Sequence, residues 1–106
     1  MVVLDGLNIR IIKEFYNLKE KEEISTWELT KKLFPRVSKI ERRRKHLLIK
    51  TRIHSMPELF KIEKKNGLWM YELISDNVYF SRFSFLDRRK FAICVKIKDK
   101  WMVQEV

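Results

Sequence analysis

The tightest constraint on this chain is a dipeptide. Asn66-Gly67 stands between two runs in which apolar and polar residues alternate, residues 59–74, and both central positions of a type I′ turn need the positive φ that Asn and Gly tolerate best. Taking the pair as a two-residue loop sets a hairpin register. Lys65 falls opposite Leu68, Glu63 opposite Met70, Ile62 opposite Tyr71, Lys61 opposite Glu72 and Phe60 opposite Leu73. Phe60, Ile62, Tyr71 and Leu73 then share the inward face, while Lys61 and Glu72 make a cross-strand ion pair outside. The tip presents Lys64, Lys65 and Trp69, with core packing the plainer role for the tryptophan.

Only two glycines, Gly6 and Gly67, occur in 106 residues, so neither a P-loop nor a dinucleotide-binding fingerprint can be written. The length suits one domain, and 45% hydrophobic residues suffice for one compact core. Met1 to Leu4 is interrupted by Asp5 and the apolar runs are short, so neither a signal peptide nor a membrane span is expected, and the cytoplasm is the expected location. One cysteine, Cys94, and two histidines are too few for a structural zinc site. No metal, cofactor or small-molecule ligand is called for. Abundant Lys, Glu, Arg and Ile resemble the composition of proteins from hot environments.

Ahead of the hairpin, three segments have helical spacing. From Asp5 to about Lys19, Leu7, Ile11, Phe15 and Leu18 repeat on one side, and Ile9, Ile12 and Tyr16 widen the arc. Such a wide arc implies either deep burial or a homodimer surface. Ile24 reads as a short strand. Ser25 with Glu28 forms a capping box that starts a second helix, which runs through Trp27, Leu29, Leu33 and Phe34 until Pro35 stops it. Ser38 with Glu41 forms another box only three residues later, so a tight turn joins the second helix to a third, residues 39–53. Wound at helical pitch, the third helix gathers Ile40, Leu47, Leu48 and Thr51 on a side expected to face the core, with Arg44 at its boundary. Lys39, Arg42, Arg43, His46 and Lys50 fall nearly opposite, with Lys45 on one shoulder, and this basic side is expected to face solvent. Ile49 and Ile53 disturb the division. After the hairpin, residues 75–106 alternate around Tyr79, Phe83, Phe85, Phe91, Ile93, Val95 and Ile97, giving two or three more strands. Their expected polar turns are residues 87–90 and 98–100.

Charge is concentrated in one place. The chain carries 24 Lys and Arg against 14 Asp and Glu, a net +10. Residues 1–35 and 55–86 are each neutral, whereas residues 36–54 hold eight Lys or Arg and one Glu, and so +7 of the total. A block of this density between neutral flanks is the electrostatic footprint of a polyanion-binding surface.

Helix, short strand, helix, tight turn, basic helix and Asn-Gly hairpin, in that order over residues 5–74, resemble the winged helix-turn-helix superfamily of DNA-binding proteins. The sequence departs from it in lacking the usual small residue of the second helix and a glycine closing the third. The fold implied is α+β: a three-helix winged core over residues 1–74, and a C-terminal β extension over 75–106 packed on the same domain or at a dimer interface. The resemblance implies a small double-stranded DNA-binding transcriptional regulator, with the third helix in the major groove and hairpin 59–74 as the wing. Lys39, Arg42, Arg43, Lys45, His46, Lys50, Lys64 and Lys65 are the candidate nucleic-acid contacts, with Arg42 and Arg43 placed to read guanine. A homodimer reading two half-sites is expected, because one such domain spans few base pairs. The alternative is a protein-interaction or scaffolding module in a replication or transcription assembly. An enzyme is the weakest fit, since His46 and His54 have no carboxylate at ligand spacing and Cys94 reads as strand filler.

Overall fold

The computed structural model describes residues 2–16, 23–85 and 88–105; the side chains of residues 81–91 lie outside that description. The described residues form an α+β fold, with three helices and two antiparallel three-stranded sheets among them. Its first helix, α1 (Gly6–Tyr16), starts at Asp5, whose carboxylate accepts the Asn8 backbone N–H at 2.9 Å. The expected continuation through Leu18 to Lys19 falls outside the described residues. The wide apolar arc of α1 is absorbed within the chain: Ile9, Ile11, Ile12 and Phe15 are buried. Tyr16, still exposed, packs edge-on against Phe80.

Strand β1 (Ile24–Ser25) leads directly into α2 (Thr26–Leu33), and α3 (Lys39–His54) follows after a short turn. Ser25 and Ser38 cap these helices, each hydroxyl accepting a backbone N–H at 3.2 Å, from Glu28 and Glu41 respectively. Only this half of each expected capping box forms among the described residues. Helix α2 ends at Phe34, whose N–H still donates to the Thr30 carbonyl, and Pro35 then redirects the chain.

Strands β2 (Phe60–Lys65) and β3 (Leu68–Leu73) pair in the register expected from Asn66-Gly67, both of which have positive φ, 51° and 79°. Ile24 pairs with Tyr71, so the first sheet has the order β1-β3-β2. A 3-10 turn, Ser75–Asn77, leads to a meander of β4 (Val78–Phe85), β5 (Arg88–Ile97) and β6 (Lys100–Glu105). Lys98 and Asp99 form the β5–β6 turn, both at positive φ. Of the other expected turn, residues 87–90, Arg88, Arg89 and Lys90 belong instead to β5, because the antiparallel pairing with β4 continues through them, opposite Phe85, Ser84 and Phe83 respectively; residue 87 lies outside the described residues. One apolar core joins the elements, with Ile11, Leu29, Ile53, Tyr71, Ile93 and Val95 all fully buried. Gln104 ties β6 back to the amino-terminal segment by donating to the Leu4 carbonyl at 2.8 Å.

Helix α3 is rotated from the orientation its apolar residues imply. Ile49 and Ile53 are fully buried, whereas Ile40 and Leu47 are 70% and 61% exposed, and Leu48, Thr51 and Arg44 also face solvent. Apolar residues occupy both sides of this helix, so periodicity alone does not choose. The neighbours do. Arg52 bonds Asp5 at the start of α1, and His46 stacks on Trp27 of α2, so the side between Arg52 and His46, which carries Ile49 and Ile53, is turned inward. Burying an isoleucine contributes about 1.5–3 kcal/mol. Ile53→Ala is therefore expected to cost about 2–5 kcal/mol in denaturant unfolding. Leu47→Ala should change stability by no more than about 0.5 kcal/mol; the reverse ranking would refute this orientation.

Candidate nucleic-acid interface

With Ile49 and Ile53 pointing inward, the candidate residues of α3 divide into three groups. Lys39 and Arg43 are exposed, and Lys50, half-buried, lies on the same side of the helix. At 100° per residue these three fall within about 40° of one another and form a row along the flank next to the hairpin. Arg42, Lys45 and His46 instead turn toward the domain. Arg42 is half-buried, and its Nε is buried without a hydrogen-bond partner among the described residues. Lys45 places its Nζ over the Phe34 ring, 5.0 Å from the centroid. His46 stacks on Trp27 with centroids 3.9 Å apart and planes 24° from parallel. The expected outward grouping of Arg42, Arg43 and His46 is thus broken, with only Arg43 fully exposed. Arg44, expected at the core boundary, is exposed instead and joins the surface.

The hairpin adds to the row through one aromatic ring. Lys50 of α3 and Lys64 of β2 both approach Trp69 of β3, with Nζ 5.6 Å and 5.5 Å from its centroid. Their shared ring holds two cations close together where, in the open, they would separate. Lys65 is committed elsewhere. Its ammonium bonds Glu23 at 2.7 Å and lies 3.4 Å from Glu63, and the Glu23 hydrogen bond in particular raises its pKa. The acid in the helix itself, Glu41, points to the side away from the row.

Beneath the row, a hydrogen-bonded chain links three elements. The Thr26 hydroxyl of α2 donates to the Tyr71 hydroxyl of β3 at 2.7 Å, and His54 Nε2 at the end of α3 lies 3.0 Å from that same oxygen. A neutral Nε2 can accept the tyrosine proton; a protonated one cannot. Burial, and then the nearby charge of Lys50, lower the pKa of His54. The same two causes, in the same order, lower that of His46. Burial raises the pKa of Tyr71, partly offset by the Thr26 hydrogen bond. Next to His54, an open groove of about 460 Å³ is lined by Leu47, Lys50, Thr51, His54 and Ser55.

The chemistry available here is charge, stacking and shape. Among the described residues no cluster of three His, Cys, Asp or Glu is placed to hold a metal ion, and no helix is long and apolar enough to cross a membrane. Sequence reasoning missed Arg44, Ile40 and Leu47 as surface residues, and no local signal distinguishes them from core positions. Comparison with protein-family models, with curated proteins and with solved structures finds no match for this chain.

The two histidines give the fold a defined pH response. Each has a folded-state pKa below the ordinary value of about 6.5. The unfolded chain therefore takes up protons first as pH falls. Their stabilising contribution is complete above pH 6.5 and declines below it. The denaturation midpoint should fall between pH 7.5 and 5.5, and His46→Gln with His54→Gln should flatten that decline. An equally steep decline in the double variant would contradict the assignment.

Proposed function

We propose that this chain is a winged helix-turn-helix protein that binds double-stranded DNA, with α3 in the major groove and the β2–β3 hairpin as a wing against the backbone. The order α1-β1-α2-α3-β2-β3 and the sheet order β1-β3-β2 support that architecture. The observation that carries the function is the row Lys39, Arg43 and Lys50, extended by Lys64 across Trp69. It is a line of cations on a helix flanked by a hairpin, with no carboxylate interposed among the described residues. Duplex DNA carries one negative charge per about 1.7 Å of axis, and cations meeting phosphates release condensed counterions. Arg44 adds a fifth cation on the far side of the exposed face. Lys65, already paired, and Lys45, turned onto Phe34, contribute less. Arg42 and His46 act by supporting α3 from beneath. In this reading the protein is a small regulator of transcription.

Five phosphate contacts correspond to a slope of about −4.5 in log affinity against log salt. Arg43→Ala combined with Lys50→Ala should weaken duplex binding by at least about tenfold at moderate salt and make the slope shallower by about 2. Lys65→Ala should change affinity far less. Unchanged binding in the Arg43/Lys50 variant would refute the interface. It would leave protein docking as the better reading, for which β6 offers exposed Trp101, Met102 and Val103.

A further inference from the structure

The exposed face of α3 is not uniformly basic. Leu47, Ile40 and Thr51 fall within about 40° of one another at its centre. Ile40 and Leu47 are among the most exposed large apolar side chains of the molecule, and Thr51 is also exposed. The Thr51 hydroxyl donates back to the Leu47 carbonyl at 2.9 Å, which leaves its methyl as the outward contact group. Arg43 and Lys50 border this apolar strip on one side, and Arg44 borders it on the other. The cross-section is therefore cation, hydrocarbon, cation.

We infer that this strip reads thymine methyl groups, so that the chain prefers duplexes with thymine on the floor of the major groove. This inference rests on the duplex-binding reading above and names what that site selects. A helix lying in a groove about 12 Å wide has phosphates on both flanks and base edges in front of it. Cations at the two borders match the phosphates. The centre must then match the base edges, and in the major groove those are hydrogen-bond donors and acceptors with one apolar exception, the C5 methyl of thymine. Pressing Leu47 or Ile40 against guanine O6 and N7, or against the cytosine amino group, would desolvate polar atoms and return no hydrogen bond. Against thymine methyls the same side chains bury hydrocarbon on hydrocarbon. Neither Asn nor Gln, the usual partners of adenine, occurs in α3. Discrimination by this strip is therefore apolar, and Arg43 and Arg44 set its borders.

The test uses the full chain and two duplexes of equal length, alternating d(A-T) and its d(A-U) counterpart, which differ only in the methyl group. Fluorescence anisotropy at moderate salt should show binding about tenfold tighter to the thymine duplex, corresponding to two buried methyls at several-fold each. An alternating guanine–cytosine duplex should bind more tightly when its cytosines carry a 5-methyl group. In Ile40→Gln with Leu47→Gln, both exposed positions, the thymine-to-uracil ratio should fall to about one while the salt slope stays unchanged. Equal wild-type affinity for the two duplexes, or a ratio that survives in the variant, would overturn the inference and leave duplex binding standing. No binding to any duplex at low salt would remove both.

Discussion

Everything at the candidate interface depends on two isoleucines. Ile49 and Ile53 are fully buried in the common apolar core, and their burial sets the rotation of α3 about its own axis. That rotation decides which cations reach solvent. A different rotation would carry Arg42 and His46 outward and hide Leu47. Two side-chain contacts, one ionic and one aromatic, hold the same setting from either side: Arg52 bonds Asp5, and His46 stacks on Trp27. The Asp5 carboxylate serves two partners, capping α1 through the Asn8 amide and anchoring α3 through Arg52, and both hold its pKa below the usual range, the Asn8 bond foremost. Loss of that side chain would loosen two helices together.

The row of cations has a cost that the fold offsets locally. Like charges along one helix repel, and seven net positive charges over residues 36–54 weaken the compact state. Lys45 rests on Phe34, and Lys50 with Lys64 on Trp69, so ring faces offset part of the repulsion without neutralising the ammonium groups. Carboxylates would neutralise them and close the surface to an anion. Lys65, which is paired in that way with Glu23, marks the contrast at the hairpin tip. A bound polyanion would also stabilise the folded chain, since it meets the assembled row and not the unfolded one.

Much of this architecture was legible in the residues. Asn66-Gly67 specified the hairpin register residue by residue, because a type I′ loop leaves one way to align the strands. Ser25, Pro35 and Ser38 marked the ends of α2 and the start of α3, since capping and ring constraints act within one helical turn. The facing of α3 was not legible. Ile40, Leu47 and Leu48 outnumber Ile49 and Ile53 on the wheel, and only the partners of each side, distant in sequence, decide between them. The pairing of Tyr71 with Thr26 and His54 spans 45 and 17 residues and leaves no local pattern. At the hairpin the pattern put Trp69 at the tip with core packing as its plainer role, and it is half-buried against the core, but its second role as a seat for two lysines came from the tertiary fold.

Thiol labelling tests the setting of α3 and its use together. In a Cys94→Ser background, Leu47→Cys and Ile49→Cys each provide one reporter on opposite faces of the helix. The account predicts that the thiol at 47 reacts rapidly and is shielded when duplex DNA is added. The thiol at 49 should react only as fast as the protein unfolds, with or without DNA. Rapid labelling at 49 with a silent thiol at 47 would contradict it.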